Sequence, residues 1–160
     1  MEDLIYDYLK LKYPEGPKWR DPSFKCFDEE PIELRMIVAL NAFEYHVGNG
    51  GWSQLLWNCF ATWRVIVDVA EEGYRITESH PQAEAIPRLR HLLENKEEEF
   101  GRLIQKAKGV DDLSWVKDVP DQSHDEPDID WRSTFGCDSI YERRDAWLEK
   151  NEERIRSLML

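Results

Sequence analysis

Apolar residues recur at three- and four-residue intervals along most of this chain, and that spacing predicts helices. Leu4, Ile5, Tyr8 and Leu9 mark a short amphipathic helix over residues 2–12. The next segment, 13–29, carries three prolines and a glycine and reads as an irregular connection. "EEPIELRMIVALNAFEYHV" then gives the clearest helical pattern, with Ile32, Met36, Ile37, Leu40, Phe43 and Val47 on one stripe. Pro31 suits its first turn, Glu29, Glu30 and Glu33 suit the positive end of its dipole, and Gly48 suits a left-handed cap after Val47. "WSQLLWNCF" restarts a helix, and "TWRVIVDVAEEGYRI" continues in helical register although Val65, Ile66 and Val67 favour strands. Pro81 and Pro87 bracket the start of another helix, which ends at Gly109.

The periodicity stops over residues 110–130, which contain two prolines and read as a loop. It resumes in "DSIYERRDAWLEKNEERIRSLML", one long terminal helix with Asp138 as N-cap and Ile140, Tyr141, Trp147, Leu148, Ile155, Leu158 and Met159 facing inward. The expectation is an all-α fold, a single domain of about six helices over residues 1–160, with an acidic surface loop at 110–130.

Charge narrows the function. Twenty-one Lys and Arg face 33 Asp and Glu, a net charge of −12. Such a field repels nucleic acid and anionic membranes, and attracts basic protein surfaces. The cysteines, Cys26, Cys59 and Cys137, are odd in number and form no CxxC pair, so neither a disulfide framework nor a cysteine-rich zinc site is encoded. The opening "MEDLIYDYLK" is acidic where a signal peptide needs bases, and no apolar run of about 18 residues follows, so a cytoplasmic location is expected.

The stretch "GNGGWSQLLWN" at residues 48–58 invites three readings. A phosphate loop needs GxxxxGK[ST] or GxGxxG after a strand, whereas Gly48, Gly50 and Gly51 follow a helix and no base occurs before Arg64. A DNA-reading turn would present Ser53, Gln54, Trp57 and Asn58 to base edges without the cations that phosphates require. The third reading is a glycine corner. Asn49, Gly50 and Gly51 reverse the chain, Trp52, Leu55, Leu56, Cys59 and Phe60 return to the core, and the Gln54 and Asn58 amides brace open backbone groups of the turn.

"NGGWSQLLWN" also resembles the Asn-Gly-Gly-aromatic-x-Gln…Asn motif of a bacterial domain-of-unknown-function family, whose best-known member is an acidic DNA-mimic protein. "ELRMIVALNAFEYHV" resembles that family's helix entering the motif, and "CDSIYERRDAWLEKNEERIRSLM" its closing helix. The resemblance is specific over residues 33–60 and looser over 137–159, and Trp52, Leu55 and Leu56 depart from phenylalanine-like positions. It implies an all-α fold and, for one studied type of member, binding to a transcription factor in place of DNA. Asn49, Gly50, Gly51, Gln54 and Asn58 carry over as markers of the fold.

Carboxylates on a rigid frame can imitate phosphate rows, because duplex DNA carries one charge per ~1.7 Å of axis. The candidate partner-binding acids are Asp111, Asp112, Asp118, Asp121, Asp125, Glu126, Asp128 and Asp130, eight acids against the single base Lys117 in the 110–130 loop. Further candidates are Glu97, Glu98 and Glu99, and Glu142, Asp145, Glu149, Glu152 and Glu153 on the terminal helix. There Arg143, Arg144, Lys150, Arg154 and Arg156 interleave, which favours an ordinary solvated face.

Metal and catalytic readings find less support. A calcium loop counted from Asp125 has Asp130 where glycine is required and Gly136 where glutamate is required. His46, His80, His91 and His124 form no HxxxH or HExxH pair, and no GxSxG turn occurs. No cofactor and no metal are expected. The leading reading is an acidic protein-binding module, monomeric or homodimeric, that occupies the basic surface of a DNA-binding regulator. An immunity-type inhibitor of a basic toxin and an enzyme with an unrecognised pocket are the alternatives.

Overall fold

The stripe expected over residues 32–47 lies at the centre of the protein, in a computed structural model that describes residues 1–14, 26–107 and 129–160. Eight helical segments and no strand occur among the described residues. They are α1 (Glu2–Lys12), α2 (Cys26–Glu29), α3 (Ile32–Asn58), α4 (Trp63–Ile76), α5 (His80–Lys106), α6 (Trp131–Phe135), α7 (Asp138–Lys150) and α8 (Glu152–Leu158). Only α2 and α6 are as short as one turn, so the all-α architecture of about six substantial helices holds.

Helix α3 is buried on more than the expected stripe. Leu34, Val38 and Ala39 are as enclosed as Met36, Ile37, Leu40 and Phe43. A helix that is apolar on most sides is an interior helix, and α3 packs against α1, α4, α5 and α6. The β-branched run in α4 is helical because Ile66, Val67, Ala70 and Tyr74 fall on one face and are all buried. Around Phe43 the aromatic rings of α4 and α6 close the core. Its centroid lies 4.8 Å from that of Phe135, edge-on, and 6.2 Å from that of Tyr74. Trp131 stacks on Phe135 at 6.1 Å, which seats α6 by its two buried aromatics.

Several boundaries differ from expectation, each for a local reason. Gly48 is helical and caps nothing; the chain bends at Gly51, whose φ of 69° and ψ of −168° lie in a region open in practice to glycine alone. The sharp reversal is therefore one residue within α3, not a three-residue turn. Helix α5 begins at His80, seven residues before Pro87, and absorbs that proline in its interior at an exposed position. Its start is set by a Schellman turn that ends α4. Ser79 N–H donates to the Tyr74 carbonyl at 2.8 Å and Glu78 N–H to the Arg75 carbonyl at 3.2 Å, with Glu78 at φ 58°.

The terminal helix is two segments, parted at Asn151, whose side chain donates back to the Trp147 carbonyl at 2.8 Å. Cys137, not Asp138, occupies the N-cap of α7, and Tyr141 is exposed rather than inward. The connection expected over 13–29 ends in the helical turn α2. Helix α6, which follows the acidic loop, had no counterpart in the sequence reading. Of that loop, residues 110–128 lie outside the described residues.

Gly51→Val places a β-branched side chain at a positive φ, and is expected to destabilise the protein by about 1–3 kcal/mol. Thermal and urea melts of the variant against the parent check this; equal stability would show that the bend does not depend on glycine.

Candidate functional site

Four helices meet at one buried guanidinium. Arg144 of α7 donates from Nη1 to Glu44 Oε2 at 2.8 Å, and its Nε lies 2.6 Å from Glu2 Oε1 as a charge contact out of line for N–H donation. The Arg144 and Glu44 side chains are 4% and 3% exposed, so water does little to screen them. Tyr74 of α4 donates its hydroxyl to Glu44 Oε1 at 3.2 Å, and Asn41 donates its amide to Glu2 Oε2 and to the Tyr6 hydroxyl, both at 3.1 Å. Burial pushes the Glu44 carboxyl above its ordinary range, and Arg144 and Tyr74 pull the other way without reversing it. Burial works against the charge on Arg144, but Glu44 and Glu2 outweigh it and raise the guanidinium further.

This cluster was read wrongly from sequence, where Arg144 stood among the bases of a solvated stripe. The signal was present. Ile140, Arg144 and Leu148 recur every four residues, and all three are buried, so the arginine occupies a core position of its helix.

A groove of about 590 Å³ opens beside the cluster. One wall is a single face of α3, with Asn41, Glu44, Tyr45, Gly48 and Asn49 at successive turns; the other is formed by Arg132 of α6 and by Tyr141 of α7. Asp130 caps α6 beside it, accepting from Arg132 N–H at 3.0 Å, Ser133 N–H at 3.2 Å and the Ser133 hydroxyl at 2.6 Å. Those bonds, the hydroxyl foremost, hold the Asp130 carboxyl below its usual range.

The corner residues divide their roles differently from expectation. Gln54 and Asn58 do not brace the open turn through these contacts. Both amide nitrogens come within 3.4 Å of Nδ1 of the buried His46, eight and twelve residues back. The path of α3 brings Gly50 so close to Gln54 that a Cβ there would lie 2.7 Å from the Gln54 Cβ. Asn49 stays exposed and donates to the Tyr45 carbonyl at 2.8 Å. The sequence sign of this contact is a histidine eight residues ahead of the glutamine.

The expected acids fall into three groups. Asp111, Asp112, Asp118, Asp121, Asp125, Glu126 and Asp128 lie outside the described residues, and Asp130 is exposed while capping α6. Glu97 is engaged by Arg64, at 2.9 and 2.6 Å, and by the Trp63 indole, Glu99 by Lys96, and Glu152 by Arg156. Glu142, Asp145 and Glu149 share the outer face of α7, and no salt bridge among the described residues reaches them. Of the interleaved bases, Arg143, Lys150, Arg154 and Arg156 stay exposed. Arg144 is buried, Arg143 donates to the Glu78 carbonyl at 2.6 Å, and Arg154 pairs with Glu33.

Among the described residues no three His, Cys, Asp or Glu converge as a metal site, and no helix is long and apolar enough to cross a membrane. Cys59 is buried and Cys137 half-buried.

A family model described as DMP19-like protein matches residues 28–151. No curated protein matches the chain, and neither does any solved structure.

Two outcomes test the cluster. Arg144→Met leaves the buried Glu44 carboxylate and the half-buried Glu2 without their cation and is expected to cost about 3 kcal/mol or more in urea unfolding. For Glu44, a folded pKa above the unfolded value means that the folded state binds the proton more tightly. The stability from that proton is full below the ordinary glutamate pKa of ~4.3 and is lost as pH rises through the raised folded value. The stability of the parent relative to Glu44→Gln should therefore fall as pH rises from 4 to 7, as measured by urea midpoints; a difference that grows with pH would reverse the assignment.

Proposed function

The chain belongs to the DMP19-like protein family, and from that membership we propose that it is a DNA mimic, an acidic module that occupies the basic surface of a DNA-binding regulator. The family's name stands for DNA mimic protein 19. The single observation that carries the reading is that match, over residues 28–151, on a chain of net charge −12.

Physical chemistry supports it on two counts. A protein that competes with DNA for cationic side chains must hold its carboxylates on a frame and keep its own bases from neutralising them. On α7 the carboxylates of Glu142, Asp145 and Glu149 recur every ~5 Å along the helix axis, at a rise of ~1.5 Å per residue. The arginines beside them are turned inward or onto a backbone carbonyl. The acids of residues 111–130 add to the chain's negative charge.

The experiment is competition. The protein is used to isolate a DNA-binding regulator from the host, and the affinity of the pair is then measured against salt and against duplex DNA. Affinity should drop tenfold or more between about 50 and 200 mM salt. Duplex should displace the protein, and Asp121→Asn/Asp125→Asn/Asp128→Asn/Asp130→Asn should weaken it further; asparagine at 130 preserves the cap of α6. A complex indifferent to salt, or a regulator that holds this protein and duplex together, would defeat the reading.

A further inference from the structure

We propose that the groove between α3 and α6–α7 is a socket for an arginine side chain of the basic partner. The inference rests on the reading above and narrows it to one anchoring contact.

Three observations carry it. First, each wall presents an exposed ring: Tyr45, 62% exposed, on α3 and Tyr141, 40% exposed, on α7. The Tyr141 ring already has the Arg144 guanidinium 5.1 Å from its centroid, so this ring is engaged in cation–π contact within the protein itself. Second, the groove is set up to accept hydrogen bonds. Asn41 gives its N–H groups to Glu2 and Tyr6, and Asn49 gives its own to the Tyr45 carbonyl. Asn41 is left with its carbonyl oxygen, and Asn49 with its carbonyl oxygen and one N–H.

Third, the charge below the groove does not balance. Glu2, 27% exposed, and Glu44, 3% exposed, face one guanidinium, Arg144, so carboxylates outnumber their cation there, and Glu44 is poorly screened. Arg132 at the rim stands against Asp130, whose carboxyl its charge helps to keep ionised, and so does not cancel that deficit. An anionic ligand meets this net negative charge unfavourably. A guanidinium meets the reverse. It is planar, stacks on tyrosine, and spreads five donors over several acceptors, whereas an ammonium is compact and holds its water more strongly. The volume of about 590 Å³ falls within the ~300–1,000 Å³ typical of ligand sites and admits one or two side chains.

The test uses acetyl-Gly-Arg-Gly-amide as probe, titrated into ¹⁵N-labelled protein, with the lysine peptide alongside. The arginine peptide should shift the amide signals of Tyr45, Gly48 and Asn49, at lower concentration than the lysine peptide. Tyr45→Ala and Tyr141→Ala should each weaken it about fivefold, and Tyr45→Phe should retain it. Both tyrosines are exposed, so these variants keep the fold, which circular dichroism verifies. Shifts confined to other acidic surfaces, equal response to the two peptides, or unchanged affinity in Tyr45→Ala would each overturn the socket. The broader reading fails separately. If the tyrosine variants keep full affinity for an isolated regulator while the four-asparagine variant loses it, mimicry stands and the socket falls; if the complex also ignores salt, mimicry falls too.

Discussion

The contact on which the rest of this structure depends is Arg144 between Glu44 and Glu2. A buried charge is costly unless its partners are in place, and here the partners of this α7 residue come from α1 and α3, with Tyr74 of α4 completing the shell. Apolar packing alone would tolerate small slips of α7 along the core. The guanidinium does not, because displacement strands the Glu44 carboxylate out of water and leaves Glu2 without its cation. The network thus fixes which face of α7 points inward, and therefore which face presents Glu142, Asp145 and Glu149 to solvent.

That coupling joins the interior to the surface chemistry. Along α7 and α8 acids and bases alternate in a way that suggests mutual neutralisation. Folding separates them in part: Glu152 stays paired with Arg156, but three arginines are drawn off. Arg144 goes inside, Arg143 is spent on the carbonyl of a strained Schellman residue, and Arg154 crosses to Glu33. The outward charge of a helix is decided by its neighbours as much as by its composition, and the acidic character of this face is a product of tertiary structure.

The sequence displayed the helices well because their apolar periodicity is strong. The extent of α1 was legible to the residue, and α4 despite its Val-Ile-Val run, since burial on one face overrides β-propensity. Boundaries were less legible where a rule of local preference lost to context. Pro87 sits inside α5, a non-glycine residue takes the left-handed position at Glu78, and the break at Asn151 leaves no proline or glycine mark. Helix α6 is only five residues long, too short to show a period. The site was legible only in part. The glycine corner announced itself, but His46 as the acceptor between Gln54 and Asn58 depends on how α3 bends, and the pairing of residues 44 and 144 is invisible to any local window.

The two polar centres of the protein differ most in the length of chain they close. His46 finds its amides eight and twelve residues downstream, within one bent helix. Glu44, two residues earlier, waits for an arginine a hundred positions away. On a ribosome the corner can assemble as soon as α3 has emerged, whereas the carboxylates of Glu2 and Glu44 remain solvated until α7 has been made. Loop closure of that span slows the step in which non-local contacts form. The chain is thus first a helical one with its acids still in water, and the arginine that turns α7 into place is made a hundred residues after the carboxylate it meets.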